Sequence, residues 1–261
     1  KLRDVIAFGE MTEMGAGDVF ANCSSLEKFE IPYGTKVIGK FCFFNCSRIK
    51  KLDIPDTVQV IGDAAFVQSG ITEITLPEGV IDVDLDAFGD TAIKEVVLPS
   101  SVTNLTGGDS SDFVYYDFHA GIGRHYVPNE SLEYIDASAC DIDELYNIEF
   151  YNFPALKRIL LPKSLKRMDD YSLSGYKPAA LVLPDGFEEI HYFYGMHDTL
   201  EGIRNIVWPA AFTTVPQYGL DCDTVYFRGS EIQWKLIENI DKVSYRSIIF
   251  NYDGDGSELT D

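Results

Sequence analysis

A chain of 261 residues that is 46% hydrophobic and 24% charged has the composition of a folded protein with a large core, which excludes wholesale disorder. Its 42 acidic against 21 basic residues, a net charge of -21, repel nucleic acid and anionic membrane surfaces, so neither is expected as a partner. No apolar run approaches the roughly 18 residues of a membrane helix, and the opening Lys1-Leu-Arg-Asp-Val-Ile6 lacks a signal peptide's apolar stretch; direct membrane insertion is not expected, and any targeting segment lies outside this sequence.

Residues 1–19 carry Val5, Ile6, Phe8, Met11 and Met14 without a full repeat phrase and are expected to form a partial coil capping the first apolar edge. From Phe20 the chain repeats itself. Phe20-Ala-Asn-Cys-Ser-Ser-Leu26-Glu-Lys-Phe29-Glu-Ile31-Pro32 returns as Phe43-Phe-Asn-Cys-Ser-Arg-Ile49-Lys-Lys-Leu52-Asp-Ile54-Pro55, and Ile38-Gly39 with Phe43, Ile61-Gly62 with Phe66, and Val83 with Phe88 recur between phrases. A period of about 22–23 residues marks a solenoid, whose units bury their apolar side only by stacking. Two apolar residues at strand spacing close each phrase: Phe29/Ile31, Leu52/Ile54, Ile74/Leu76, Val96/Leu98, Ile135/Ala137, Ile159/Leu161, Leu181/Leu183, Ile206/Trp208 and Val225/Phe227. Each coil is therefore expected to give one short strand to a parallel sheet on the order of 40 Å long. Residues after the proline, such as Val58/Ile61 and Leu165/Met168, are expected to turn the chain and fill the coil.

The Leu-x-x-Ile-x-Ile-Pro phrase, the Ile-Gly-x-x-x-Phe element and the Asn-Cys turn together resemble the BspA-like leucine-rich repeats of bacterial surface proteins. Val225-Tyr-Phe-Arg-Gly229-Ser-Glu-Ile-Gln-Trp234, followed by Ser247-Ile-Ile-Phe250, is similar to the segments that often close such arrays. The resemblance implies a repeat solenoid: a right-handed leucine-rich-repeat coil with one parallel β-sheet face, short strands and irregular turns. It also implies an extracellular or bacterial cell-surface recognition or adhesion role, with no catalytic residue or cofactor to carry over. The expected organisation is one solenoid with regular repeats over 20–105, an insertion at 106–125, repeats over 126–228, a C-terminal cap at 229–252 and a tail at 253–261. The insertion departs from the pattern with Gly107-Gly-Asp-Ser-Ser-Asp112 and Phe113-Val-Tyr-Tyr-Asp-Phe-His119, and His191-Tyr-Phe-Tyr-Gly-Met-His197 is a smaller extra stretch. Recognition is normally carried on such loops.

Signals for chemistry are weak. Asp82, Asp84, Asp86 and Asp90 lack the glycine and terminal glutamate of a calcium loop and read as a solvated acidic turn. The tail Asp253-Gly-Asp255-Gly256-Ser-Glu258 resembles half a calcium loop, but disorder or a linker stub is the preferred reading. His119, His125, His191 and His197 have no ligand spacing, and no nucleophile elbow or phosphate loop occurs, so neither an enzyme nor a metal protein is expected. Cys23 and Cys46 share a repeat position, where small, free, inward-facing thiols are favoured over a disulfide. Asn22 and Asn45 match glycosylation triplets, as do Asn104 and Asn129, but the first two fit better as an asparagine ladder.

Strand alternation places one residue of each phrase outward. The outward row is Glu30, Asp53, Thr75, Val97, Asp136, Leu160, Val182, Val207 and Tyr226, polar in its first half and apolar in its second. Three readings of the apolar half compete: cover by the insertion or the chain's own ends, a docking surface, or self-association into a homo-oligomer. The docking hypothesis assigns Tyr134, Arg158, Leu160, Val182, Val207 and Tyr226, with Phe113, Tyr115, Tyr116 and Phe118 of the insertion, to the binding of an extracellular host or matrix protein or a glycan. The alternatives are a structural spacer or self-assembling surface component and, more remotely, a polysaccharide hydrolase.

Overall fold

The computed structural model describes residues 3–5, 12–14, 19–107, 128–146, 148–169, 172–191, 203–216 and 219–259. The chain winds as a solenoid whose strand pairings are all parallel. One ladder comprises β1 (Asp4–Val5), β3 (Lys28–Phe29), β7 (Glu95–Val97), β9 (Tyr134–Asp136), β11 (Arg158–Leu160), β13 (Ala180–Val182), β15 (Asn205–Trp208), β16 (Leu220–Phe227) and β17 (Val243–Phe250). It runs in three segments, β1-β3, β7-β9-β11 and β13-β15-β16-β17.

Each coil also carries a second strand where the sequence suggested only turns. These strands are β2 (Glu13–Met14), β4 (Val37–Ile38), β5 (Val60–Ile61), β6 (Asp82–Asp84), β8 (Asn104–Thr106), β10 (Glu144–Leu145), β12 (Arg167–Asp169) and β14 (Glu189–His191), continued by bridges through Thr214 and Glu238. Their physical basis is a single inward residue per coil, Ile38, Ile61, Val83, Leu105, Leu145, Met168 or Ile190, each buried beside a neighbour that is not. The opening residues supply strands to both ladders, β1 and β2. Two coils fall short of the expected pattern. Residues 52–54 and 74–76 bury Leu52 and Leu76 but do not enter the ladder, and a cleft of about 240 Å³ lined by Lys51, Asp53, Glu73 and Thr75 opens between them.

One continuous hydrophobic cluster runs from Val5 to Val243. Phe20, Phe43, Phe66 and Phe88 form a column through it, with successive ring centroids 5.7, 6.0 and 6.1 Å apart and nearly parallel planes. Above each ring the backbone turns through the left-handed region, at Asn22, Asn45, Gln68 and Asp90, with φ of 63, 53, 57 and 43°. Asparagine tolerates that conformation better than most residues, and Asn45 Nδ2 donates to Asn22 Oδ1 at 2.9 Å, so the asparagine ladder is present. All five cysteines are free. Burial pushes the Cys42 and Cys46 thiols up to about 12, which leaves them protonated and unreactive.

Ser230 and Gln233 form a reciprocal capping box on the single turn α1 (Glu231–Trp234). That turn delivers Trp234 between Trp208 and Phe227, each with its ring centroid 5.3 Å away.

Candidate recognition surface

Alternation holds along the first ladder. Ile135, Ile159, Leu181, Ile206 and Val225 are buried, and their strand neighbours Asp136, Leu160, Val182 and Tyr226 are half-buried on the opposite face. Val182, Val207, Tyr226 and Ile249 lie in register across β13, β15, β16 and β17, so these outward side chains make one continuous row. Tyr134 and Arg158 are likewise direct neighbours on β9 and β11. Leu160 belongs to that adjoining segment, because the ladder is interrupted after β11. There the Ile159 N–H donates to the hydroxyl of buried Tyr176 at 2.9 Å instead of continuing the strand pairing. Phe113, Tyr115, Tyr116 and Phe118 lie outside the described residues.

The apolar row is not an open stripe. Val207 is fully buried, although strand alternation expected it to face solvent, and the reason is the chain's own end. Residues 251–259, expected to be disordered or a linker, are instead placed against the sheet. After β17 the Asn251 N–H donates to the carbonyl of Gly229 at 3.0 Å and the Tyr252 N–H to that of Phe227 at 3.1 Å, which turns the chain back over the sheet. The Tyr252 ring then meets Tyr226 edge-on with centroids 5.0 Å apart, and Arg228 Nη2 donates to the carbonyl of Gly254 at 3.1 Å. Gly256, itself buried, lies against Val182 and Val207. Cover by the chain's end is one of the readings the sequence offers; what it does not single out is Gly256, whose missing side chain permits the close approach to the two valines.

The polar half of the row stays exposed at Glu30, Asp53 and Thr75, and Val97 is 52% exposed. Arg158 stands beside Tyr134, whose hydroxyl is raised above the usual phenol range by burial and by Asp136, to which it donates at 3.3 Å. Arg228 pairs with Asp185 and reaches the tail. Two arginines thus flank an apolar row in a strongly acidic molecule.

The acidic turn is more structural than the sequence suggested. Asp86 is buried and accepts from Asn152 Nδ2 at 2.9 Å, and Asp84 accepts from the Asp86 N–H at 2.9 Å and from Thr106 Oγ1 at 3.1 Å. Among the described residues no group of three or more potential ligands is placed to hold a metal ion. His191 sits on β14 with Nε2 3.2 Å from a Glu189 carboxylate oxygen, and the other three histidines lie outside the described residues. Asn129, an acceptor triplet in the sequence, is fully buried and donates to the carbonyl of Phe88 at 2.8 Å, so it splices the coil after the insertion onto the phenylalanine column.

Similarity to known proteins follows the repeat. A leucine-rich repeat protein from Bacteroides ovatus is 18% identical, with 95% of this chain and 82% of that chain covered and a TM-score of 0.45. A leucine rich cell surface protein from Faecalibacterium prausnitzii is also 18% identical, covering 87% of this chain and 79% of that one with a TM-score of 0.27. The pneumococcal vaccine antigen PcpA is 13% identical over 88% of this chain and 74% of its own, with a TM-score of 0.29. No curated protein matches the chain. The family described as BspA type leucine rich repeat region matches residues 7–110 and 119–224 in six copies, and this solenoid of stacked coils belongs to that family.

Proposed function

We propose that the chain is a non-catalytic recognition protein, working outside the cell or at a bacterial cell surface, that docks a host or matrix protein or a glycan on the outward face of the first ladder. The observation that carries this reading is the side-chain division of that face. From β11 to β16 the outward row is apolar, with Tyr134, Arg158 and Arg228 beside it, where the earlier coils present Glu30, Asp53, Thr75 and Asp136. Aromatic and arginine anchors around an apolar centre are what protein interfaces are built from. The family supports a repeat scaffold for interaction, and the fold presents this face on rigid strands. A self-assembling reading draws on one specific feature, the outer edge of the eight-residue β17, where Tyr245 and Ile249 are 39% and 45% exposed.

The test is a binding screen of the chain against extracellular-matrix proteins and glycans at physiological salt, beside a Tyr134→Ala, Leu160→Glu variant. The expected result is an interaction weakened at least ~10-fold in a variant that keeps its circular dichroism and melting temperature. An unaffected interaction moves the site off this face, and a blank screen favours the spacer.

A further inference from the structure

The tail shows what chemistry the apolar row accepts. Gly256 has φ +79°, and a Cβ built there would stand 2.5 Å from Val182 Cγ2 and 3.3 Å from Val207 Cγ2, so nothing larger than glycine fits against the two valines. The segment holds its own shape: the Gly256 N–H donates to the Tyr252 hydroxyl at 3.2 Å, that hydroxyl also bonds Glu258, and Asp255 Oδ1 accepts from the Ser257 N–H at 2.9 Å. Its charges suit the place. The Asp255 carboxyl is held below its ordinary range first by the Ser257 hydrogen bonds and also by the nearby Arg158, while Arg228 takes the Gly254 carbonyl. Three contacts therefore lie on one face: an aromatic ring on Tyr226, a carbonyl on Arg228 and a bare backbone on Val182 and Val207, with Arg158 close enough for its charge to favour a carboxylate there without pairing with it.

We infer that this face is a peptide-binding site for an acidic, glycine-bearing turn of a partner protein, and that residues 252–259 occupy it in cis until the partner displaces them. The inference rests on the docking reading above and narrows its ligand from a general surface partner to a turn with an aromatic residue, an Asp and a Gly in the order Tyr252, Asp255, Gly256. A tethered occupant competes at an effective concentration of order mM, so the intact chain binds such a turn more weakly than a chain whose tail has been dislodged.

The experiment uses the full chain carrying Gly256→Val, which the two valines and the left-handed backbone both reject, and a labelled synthetic peptide of residues 250–259 followed by fluorescence anisotropy. The Gly256→Val chain should bind the peptide saturably, and at least ~10-fold more tightly than the wild-type chain does. The same peptide carrying Gly256→Val should bind at least ~10-fold more weakly, and adding Arg228→Ala to the chain should weaken the wild-type peptide. If Gly256→Val fails to fold, Tyr252→Ala frees the tail through its aromatic contact and the same readouts apply. No binding to the freed chain, equal binding of the two peptides, or equal binding to wild-type and freed chains overturns the inference. Peptide binding with a blank matrix screen sinks only the broader docking reading, and a matrix hit without peptide binding sinks only this one.

Discussion

At the scale of single residues the coil is organised by groups that the repeat holds in unfavourable places. Asp84 is such a group: burial, and the neighbouring Asp63 carboxylate after it, push its pKa up to about 6, against the hydrogen bonds from the Asp86 N–H and Thr106. A carboxyl whose pKa is higher folded than unfolded stabilises the fold while protonated. Its contribution is complete below the ordinary aspartate range near 3.8 and is lost as pH climbs through about 6. Asp84→Asn keeps the size and an acceptor for the Asp86 N–H. It should therefore raise stability by ~2 kcal/mol at neutral pH and flatten the loss between acid and neutral. Urea titrations of both chains across that range check it, and parallel pH profiles would refute it. The sequence suggested this acid stood in solvent because four aspartates in nine residues read as a surface. What it could not show is that Asn152, 66 positions on from Asp86, comes back to cover the turn.

At the scale of elements, the phenylalanine column and the two ladders carry the stability. Phe66 is fully buried and stacks on Phe43 at 6.0 Å and Phe88 at 6.1 Å. Phe66→Ala should cost ~4 kcal/mol, and Phe66→Leu about 1 kcal/mol. Because coils contact mainly their neighbours, the damage should be local. Hydrogen exchange should show lost protection around β4, β5 and β6 while β13 and β15 keep theirs; uniform loss would mean the array unfolds as one unit. The column was legible because a phenylalanine recurs with the Ile-Gly signal, and the first ladder because two apolar residues stand before each proline. The second ladder was not. A strand two or three residues long with one buried position leaves no alternation to detect, and its hydrogen bonds come only from the coil beside it.

At the scale of the whole molecule, a net charge of -21 makes the fold repel itself. Ion pairs such as Lys157 with Glu133 and Arg246 with Asp223 are exposed and contribute little. The melting temperature should therefore rise by a few degrees as salt is raised from about 10 to about 200 mM, since screening shortens the reach of the acids to about a Debye length. A flat profile in thermal scans would show that the acids are already spaced beyond one another's field. The candidate site was legible only in outline for a related reason. The outward row could be read from alternation, but the part of its lid that meets Val182 and Val207 is Gly256, which has no side chain to read. The lid also alters how the protein bears force. Hydrogen bonds between stacked coils point along the stacking direction, so pulling the two ends apart opens them rung by rung, each coil of 22–23 residues paying out on the order of 70 Å of slack. A tail that runs from the end of β17 back to Val182 fastens β13, β15 and β16 together across the rungs. Under tension the array lengthens from its N-terminal coils first, and the strapped C-terminal strands are the last to part.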